Sequence, residues 1–522
     1  MFRGPAAPSQ TKIAAVKTFH VTSFGCRASQ ADGDALKIQL TNAGFGEAAD
    51  AASINIAVLN TCTVTAAADA EVRQIIRRIH RTNPDCRILV TGCYAQRAPQ
   101  EIAGLEGVAW VIGNSHKHQL AGILEREAGL WGTHPARETR PAEGTEASAM
   151  DLSAARAAAA QPASFESAAQ VMVGEIDAAF HFAPAVPDDR TRPTLKVQDG
   201  CDARCAFCII PTVRGTSRSL PPDRVIEEVS RLERQGFQEV VLSGINLGSY
   251  GRDLNRTINF LGLLDRILSE TAIPRLRISS IEPMDVSPAL IRLAAREKRV
   301  AEHFHVPLQS GSDRILRFMN RRYWTSQYAE RILAIREELP HAGIGADVMT
   351  GFPGETPEDH RLSAEFIERL PFTYLHVFPY SSRPGTVAAG RAEQVDGRIA
   401  HERGRALRTL VAGKHQAFLE SQIGRTLSAL TLDRASRATP AESLSDSGSE
   451  DSLGTADRMS RSRAALSSNY LPLSLHGSEL PANVLVDVQI GRVANGTLHG
   501  FAVGSRQEAG GRRQSAVASR PS

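Results

Sequence analysis

The chain has 522 residues, 42% of them hydrophobic, and a formal net charge of +3. This length exceeds what one hydrophobic core organises, so we expect about two to four domains. The small positive charge permits a nucleic-acid partner without requiring one. No stretch is apolar enough to span a bilayer, and the first residues lack the apolar segment of a secretory signal. We therefore expect a cytoplasmic protein whose seven cysteines are reduced and serve a metal or catalysis.

Strand and helix patterns alternate through residues 14–131, the first predicted domain. Apolar runs predict strands at residues 18–23, 54–59, 87–90 and 108–112, and helical periodicity predicts helices at 31–43 and 66–80. This alternation predicts a flavodoxin-like α/β domain, in which helices cover a parallel sheet.

Three cysteines of this domain follow predicted strands: Cys26, Cys62 and Cys93. The carboxyl ends of parallel strands share one edge of a sheet, so these thiols can converge there. A cluster held by three thiolates is one interpretation, and three buried core cysteines are the alternative. Cys86 precedes a strand, at the opposite edge, and we predict a structural or partly exposed thiol there.

Residues 132–190 change in composition to Ala, Glu, Ser, Thr and Pro without a sustained amphipathic pattern. They are predicted to be a flexible linker or insertion. The α/β pattern then resumes over residues 191–418. Strands are predicted at residues 194–197, 239–242, 275–279, 303–306, 345–349 and 374–378. With the helices between them, these six units predict a partial (βα)6 barrel.

A distinctive motif follows each predicted barrel strand, at the end where chemistry gathers in such barrels. In chain order these motifs are GCDARC, SGINLGSYG, SSIEP, PLQSGSD, TGFPGE and PYSSRPGT. Taken singly, each also suits an ordinary turn, because Gly, Ser, Pro and Asp are loop residues.

The first motif contains Cys201, Cys205 and Cys208 at C-x3-C-x2-C spacing. Three thiolates on one short loop can hold three corners of a 4Fe–4S cluster and leave the fourth iron open to a substrate. A structural zinc site would need a fourth Cys or His nearby, and none follows Cys208. Three unrelated buried thiols are the remaining alternative.

This spacing after a first barrel strand resembles the radical S-adenosylmethionine (radical SAM) enzymes. GCDARCAFCIIPTVRG resembles the methylthiotransferases among them, and FGC, NTCTVT and TGCYAQ resemble their N-terminal domain. The family usually carries Asn three residues after the first of these cysteines, where this chain has Ser29.

The resemblance implies two 4Fe–4S clusters and SAM as cofactors. The cluster on Cys201, Cys205 and Cys208 would cleave SAM to a 5′-deoxyadenosyl radical, which abstracts hydrogen from C2 of an adenosine. An auxiliary cluster would present a methylated sulfur, and its ligands would be Cys26, Cys62 and Cys93. We expect SAM contacts from polar or glycine residues at the strand ends: Gly244, Glu282, Gln309, Ser310 and Asp347, with Glu355 near the mouth.

Residues 419–504 show short alternating runs that predict a small antiparallel β-barrel. Their motifs resemble a TRAM domain, a compact RNA-binding barrel. We predict that the Ser- and acid-rich residues 437–465 are a disordered insertion, and that the basic residues 505–522 are a disordered tail.

Basic residues on the second helix and after the cysteine loop could contact phosphates: Arg73, Arg77, Arg78, His80, Arg81, Arg214 and Arg218. A solvated helix face is the alternative.

The NTCTVT and TGCYAQ motifs resemble the branch that modifies threonylcarbamoyladenosine of tRNA, on the 3′ side of the anticodon. Alternatives are a methylthiotransferase for isopentenyladenosine in tRNA or for a ribosomal-protein aspartate. A different class would be a non-catalytic iron–sulfur protein that binds RNA or senses redox state. We expect these partners: the tRNA anticodon loop, an electron donor such as flavodoxin or ferredoxin, and a sulfur source. We also expect a monomer that does not bind membranes.

Overall fold

The computed structural model describes residues 17–48, 54–130, 169–181, 191–255, 258–433, 462–477 and 480–505. The chain forms two compact units. The first takes in residues up to Phe24, then Ala35–Thr63 and Ala67–Ile176. The second takes in Gly25–Asp34, Val64–Ala66 and the chain from Asp177 onward.

The N-terminal part of the chain alternates strands with helices. Its strands are β1 (Thr18–Ser23), β2 (Gly46–Glu47), β3 (Ile56–Thr61), β4 (Arg87–Gly92), β5 (Val108–Gly113) and β6 (Gln170–Met172). Its helices are α1 (Arg27–Asn42), α2 (Ala66–Thr82), α3 (Cys93–Arg97), α4 (Pro99–Ala103) and α5 (Leu120–Leu130). The strands form one parallel sheet in the order β2-β1-β3-β4-β5-β6.

Hydrophobic cores lie on both faces of this sheet. Neighbouring residues of a strand contribute to opposite cores because their side chains alternate. Ile56 and Val58 of β3 pack in one core with Leu36 of α1. Leu59, on the other face, packs in a second core with Val72 of α2. The strand order and the double cover confirm the predicted flavodoxin-like architecture.

Strand β6 lies inside the region predicted to be a linker. Residues 170–172 pair in parallel with residues 110–112 of β5, so the linker prediction is wrong over these three residues. A strand this short carries too little periodicity to be recognised. Residues 131–168 and 182–190 lie outside the described residues.

The second unit contains a partial barrel. Its strands are β7 (Thr194–Asp199), β8 (Arg218–Ser219), β9 (Glu239–Gly244), β10 (Arg275–Ile278), β11 (His303–His305), β12 (Gly343–Thr350) and β13 (Tyr374–Pro379). Its helices are α6 (Ile210–Arg214), α7 (Pro222–Arg234), α8 (Phe260–Glu270), α9 (Pro288–Arg296), α10 (Asp313–Phe318), α11 (Thr325–Glu338), α12 (Pro357–Arg369) and α13 (Gly397–Glu420).

The barrel strands form two sheets, in the orders β10-β9-β7-β8 and β11-β12-β13, and a parallel bridge between Ser280 and His305 joins them. The six parallel strands confirm the predicted (βα)6 arrangement, and the short antiparallel β8 is an addition to it. Alternate residues such as Val197, Leu242 and Val348 pack in the core with the helices. Several of the intervening positions are polar, so the opposite face of the barrel carries charged and imidazole side chains.

The C-terminal strands are β14 (Thr426–Thr431), β15 (Arg463–Ser467), β16 (Pro472–Leu475), β17 (Leu485–Ala494) and β18 (Thr497–Ser505). They close into a barrel in the order β14-β15-β16-β18-β17, which confirms the predicted small β-barrel. Strand β15 overlaps the end of the insertion predicted at 437–465. It pairs with β14 and β16 and buries Ala465 and Leu466, so residues 463–465 are ordered by strand pairing.

Within the described ranges, the helices are all too short or too polar to cross a lipid bilayer. The predicted disordered tail at 505–522 and residues 437–461 of the predicted insertion fall outside the described residues, apart from Ser505 at the end of β18.

Candidate active site

The three-cysteine loop begins at the carboxyl end of β7. Asp199 accepts a hydrogen bond from the Gly200 N–H at 2.8 Å, and Gly200 adopts a φ of 72°. A Cβ atom at this position would overlap the carbonyl oxygen of Thr216, so the turn requires glycine. The N–H of Cys201 then bonds Gly215 at 3.0 Å and anchors the start of the loop.

Each of the first two thiols has a hydrogen-bond donor beside it. The sulfur of Cys201 lies 3.4 Å from the backbone nitrogen of Ala203 and 3.8 Å from Nδ2 of Asn246. Arg321 Nη1 lies 3.2 Å from the sulfur of Cys205. Such donors stabilise the thiolate form that binds iron.

Burial raises the pKa of the Cys201 thiol, and it raises the pKa of the Cys208 thiol to about 12. Without a metal both groups would therefore be protonated at neutral pH. Binding of a metal at these sulfurs would release their protons, as metal binding to cysteine generally does.

Next to this loop, the largely buried Arg321 forms an ion pair with Glu282, whose side chain is partly exposed. Arg321 also contacts the Tyr323 hydroxyl at 3.2 Å, and that hydroxyl donates to the carbonyl of Leu308 at 2.8 Å. The sequence predicted a functional role for Glu282 but not for Arg321. No motif marks Arg321, because it lies 116 residues beyond Cys205.

Asn246 Oδ1 and Gln309 Oε1 are two of the buried side-chain oxygens that have no hydrogen-bond partner among the described residues. Asn246 follows β9 and its backbone N–H bonds Gln198 at 2.7 Å. Gln309 has a left-handed φ of 67° and its N–H bonds the carbonyl of Asp347 at 2.7 Å. An unpaired buried acceptor costs free energy, so both positions suit a ligand that donates hydrogen bonds. Asn246 lies in the SGINLGSYG motif, which could have revealed it.

Three other predicted residues have a bonding or packing role within the protein. Ser310 is buried, and its hydroxyl lies 3.3 Å from that of Ser363 and accepts from Ser312 N at 3.2 Å. A Cβ atom on Gly244 would lie 2.9 Å from Gln198 Oε1, so close packing already requires glycine there. Glu355, which follows the carboxyl end of β12, is buried and pairs with Arg403 at 2.7 Å, so its carboxylate has a partner within the protein.

Asp347 lies within β12 rather than at its end. Its Oδ1 accepts from His305 Nε2 at 3.1 Å and from His376 Nδ1 at 3.2 Å. The sequence predicted that Asp347 lies at a strand end, because the TGFPGE motif begins three residues later.

Cys26 belongs to the second unit, with residues 25–34. Its sulfur lies 3.7 Å from the Ser29 hydroxyl, which accepts from Arg214 Nη2 at 3.3 Å. Arg214 also pairs with Asp32 and with Asp199, each at 2.9 Å. Contacts among buried side chains therefore run from Ser29, in the Cys26 segment, through Arg214 to Asp199, which lies two residues before the three-cysteine loop.

Arg214 and Arg218 fit neither of the two interpretations offered for them, a contact to phosphates or a solvated helix face. Both side chains are buried. Arg218 donates to the carbonyl of Asp177 at 2.7 Å. On helix α2, Arg73 pairs with Glu101 at 2.8 Å, whereas Arg77 and Arg78 are exposed.

Cys62 and Cys93 belong to the first unit. They directly follow β3 and β4, whose last residues Thr61 and Gly92 pair in register, so both thiols lie at the carboxyl edge of the sheet. Both are buried, and Asn114 Nδ2 lies 3.6 Å from the sulfur of Cys93. Cys86 precedes β4 at the other end and is buried, and burial raises the pKa of its thiol.

Comparison with known proteins identifies the family. Residues 18–113 match the uncharacterized protein family UPF0004, and residues 195–367 match the radical SAM superfamily. The chain is 36% identical to the threonylcarbamoyladenosine tRNA methylthiotransferase MtaB of Aquifex aeolicus, over 79% of this chain and 92% of that protein. The chain belongs to the radical SAM methylthiotransferase family.

Two further relatives carry names that specify different tRNA nucleosides. The chain is 36% identical to MtaB of Bacillus subtilis, over 74% of this chain and 78% of that protein. It is 32% identical to the tRNA-2-methylthio-N(6)-dimethylallyladenosine synthase of Pelotomaculum thermopropionicum, over 79% of this chain and 86% of that protein. Family membership confirms that the chain is a radical SAM enzyme that transfers a methylthio group, so the non-catalytic alternative is not supported.

A radical SAM methylthiotransferase uses SAM and a 4Fe–4S cluster, and the residues present fit both groups. Three thiols on one loop supply three ligands, with donors from Asn246 and Arg321 beside two of them. The unpaired buried oxygens of Asn246 and Gln309 suit the amine and hydroxyl donors of SAM.

Proposed function

We propose that this methylthiotransferase modifies tRNA, adding a methylthio group to C2 of N6-threonylcarbamoyladenosine on the 3′ side of the anticodon. The observation that carries the proposal is the 36% identity over 92% of the length of a relative named for that activity. The NTCTVT and TGCYAQ motifs support the same branch.

The loop containing Cys201, Cys205 and Cys208 would hold the cluster, which supplies the electron for reductive cleavage of SAM. Asn246 and Gln309 would orient SAM by accepting hydrogen bonds from its amine or hydroxyl groups. Arg321 would hold the Cys205 sulfur and Glu282 in fixed positions, because it contacts both. Gly244 and Ser310 stay predicted SAM contacts, and the structure gives each a packing role as well.

A second 4Fe–4S cluster is proposed on Cys26, Cys62 and Cys93. Two observations support it. Cys62 and Cys93 follow neighbouring parallel strands whose last residues are in register. Polar hydrogen-bonding groups lie beside Cys26 and Cys93, namely Ser29 and Asn114. The Ser29 hydroxyl thus contacts the cysteine, although the family usually has Asn at that position.

The C-terminal β-barrel is proposed to contact the tRNA. The imidazole rings of His476 and His499 are stacked with centroids 5.1 Å apart, and the exposed ring of Phe501 lies 6.1 Å from His476. Exposed planar groups of this kind can stack on unpaired bases. We also propose a cytoplasmic monomer that receives electrons from flavodoxin or ferredoxin and draws on a separate sulfur source.

Anaerobic reconstitution tests the enzymatic part of the proposal. The protein with reconstituted clusters, given dithionite and SAM, should release 5′-deoxyadenosine. Cys208→Ala should abolish this release because it removes an iron ligand of the SAM-cleaving site. Absence of 5′-deoxyadenosine with the unaltered protein, at full iron and sulfide content, would contradict the proposed chemistry.

A further inference from the structure

Three adjacent strands of the barrel bring two imidazoles and a carboxylate together. Asp347 on β12 pairs directly with His376 on β13, and His305 on β11 pairs with Gly345, two residues before Asp347. Because side chains two positions apart point to the same face of a strand, all three groups share one face. Their ligand atoms all lie within 4.8 Å of one another.

We propose that His305, Asp347 and His376 form a binding site for a divalent transition-metal ion, separate from both iron–sulfur clusters. Both imidazole contacts converge on one carboxylate oxygen, at 3.1 and 3.2 Å. Ligand atoms about 2.0–2.2 Å from a common ion lie roughly 3 Å apart when they occupy adjacent corners of its coordination shell. The spacing therefore leaves room for an ion after small shifts of the side chains.

The ligand set points to the class of metal. Two imidazoles and one carboxylate suit ions such as Zn²⁺, Fe²⁺ and Mn²⁺, whereas Ca²⁺ and Mg²⁺ prefer oxygen ligands alone. Three protein ligands leave further positions for water or for an oxygen atom of a bound ligand. The site is accessible to such a ligand, since the His376 side chain is 45% exposed.

Neighbouring side chains already orient one of the two imidazoles. Nδ1 of His305 lies 3.1 Å from the Tyr374 hydroxyl, which lies 2.7 Å from Nε2 of His303. Metal-binding histidines usually use their second nitrogen in this way, which fixes the ring and its tautomer.

The site gives Asp347 a role different from the predicted SAM contact. The site consists of described side chains alone, and its binding of a metal does not depend on which substrate the enzyme uses. The alternative is a triad held together by hydrogen bonds without a metal, in which each imidazole donates directly to Asp347.

Metal analysis of the full-length protein separates these two cases. Protein with reconstituted clusters is incubated anaerobically with Zn²⁺, passed through a desalting column, and analysed for zinc, iron and sulfide. We expect about one tightly held zinc ion per chain. X-ray absorption at the zinc edge should show nitrogen and oxygen ligands near 2.0–2.1 Å, because thiolate ligation would give a distance near 2.3 Å.

Variants locate the ion. His376→Gln and Asp347→Asn each remove a ligand with little change in side-chain volume. The zinc content should fall at least tenfold in at least one of these variants, and the iron content should stay unchanged. His401→Gln is the matched control, since His401 is exposed and its Nδ1 bonds the carbonyl of Gly397 in its own helix. The proposal is overturned by a wild-type protein that holds no zinc, by zinc on sulfur ligands, or by zinc retained in both variants.

Discussion

Removing Arg214 should strongly destabilise the second unit. The Arg214 side chain is 2% exposed and pairs with Asp32 and Asp199 at 2.9 Å each. Lys196 contacts both carboxylates as well, and Arg218 Nη2 lies 3.8 Å from Asp199. Arg214→Met fills a similar volume but removes the guanidinium that bridges the two buried carboxylates.

The size of the effect follows from the geometry. Unit charges about 4 Å apart attract by about 4 kcal/mol at an effective dielectric constant near 20, and Arg214 makes two such contacts. Part of this gain is offset by the cost of burying the guanidinium itself. Removing one partner of a buried ion pair typically costs about 3–5 kcal/mol, and we expect the free energy of unfolding to fall by this amount.

Urea unfolding of the cluster-free, reduced protein, followed by circular dichroism, measures this difference. Arg224→Met is the matched control, because it breaks an ion pair to Glu227 whose side chains are 52% and 59% exposed. Its cost should be at most about 1 kcal/mol. Adding Asp32→Asn to Arg214→Met removes one of the two carboxylates with which Arg214 pairs, and should recover about 1–2 kcal/mol. Equal costs for Arg214→Met and Arg224→Met, or a further full loss in the double variant, would refute the reasoning.

Three further predictions concern other buried groups. Burial raises the pKa of Glu239, but Arg277 and two further arginines outweigh it and lower the pKa to about 2. The stability that Glu239 contributes is therefore complete above about pH 5 and is lost as the pH falls toward 2, so the difference in unfolding free energy between wild type and Glu239→Gln should shrink over this range. Gly92→Ala should prevent folding of the first unit, because its Cβ would lie 2.6 Å from Thr61 N, whereas Gly44→Ala, with a similar positive φ and open space, should cost only about 1–2 kcal/mol by urea unfolding. Cys62→Ala should retain release of 5′-deoxyadenosine but lose methylthio transfer by mass spectrometry, and loss of both activities in a folded variant would contradict two separate clusters.

The sequence predicted those parts of the fold whose signals are local. The barrel strands are apolar runs between amphipathic helices, and Cys201, Cys205 and Cys208 are close in sequence, so spacing alone revealed their loop. Strands β6 and β15 were missed because three to five residues carry little periodicity.

Contacts between distant positions could not be predicted in the same way. Arg214 and Asp32 are 182 residues apart, and only folding shows that the arginine is buried rather than available to phosphate. His305, Asp347 and His376 meet because their strands are neighbours in one sheet, and no motif marks them as a group. Asn246 and Gln309 lie in recognised motifs, but only the structure shows that their oxygens are buried without a partner.

Nucleoside analysis of tRNA tests the central claim most directly. Total tRNA from cells that lack this protein and from the same cells expressing it is digested and compared by mass spectrometry, with Cys208→Ala as the inactive control. We expect the wild-type protein alone to convert threonylcarbamoyladenosine to its 2-methylthio derivative. A methylthio group gained on isopentenyladenosine instead, or no change in any nucleoside, would contradict the account.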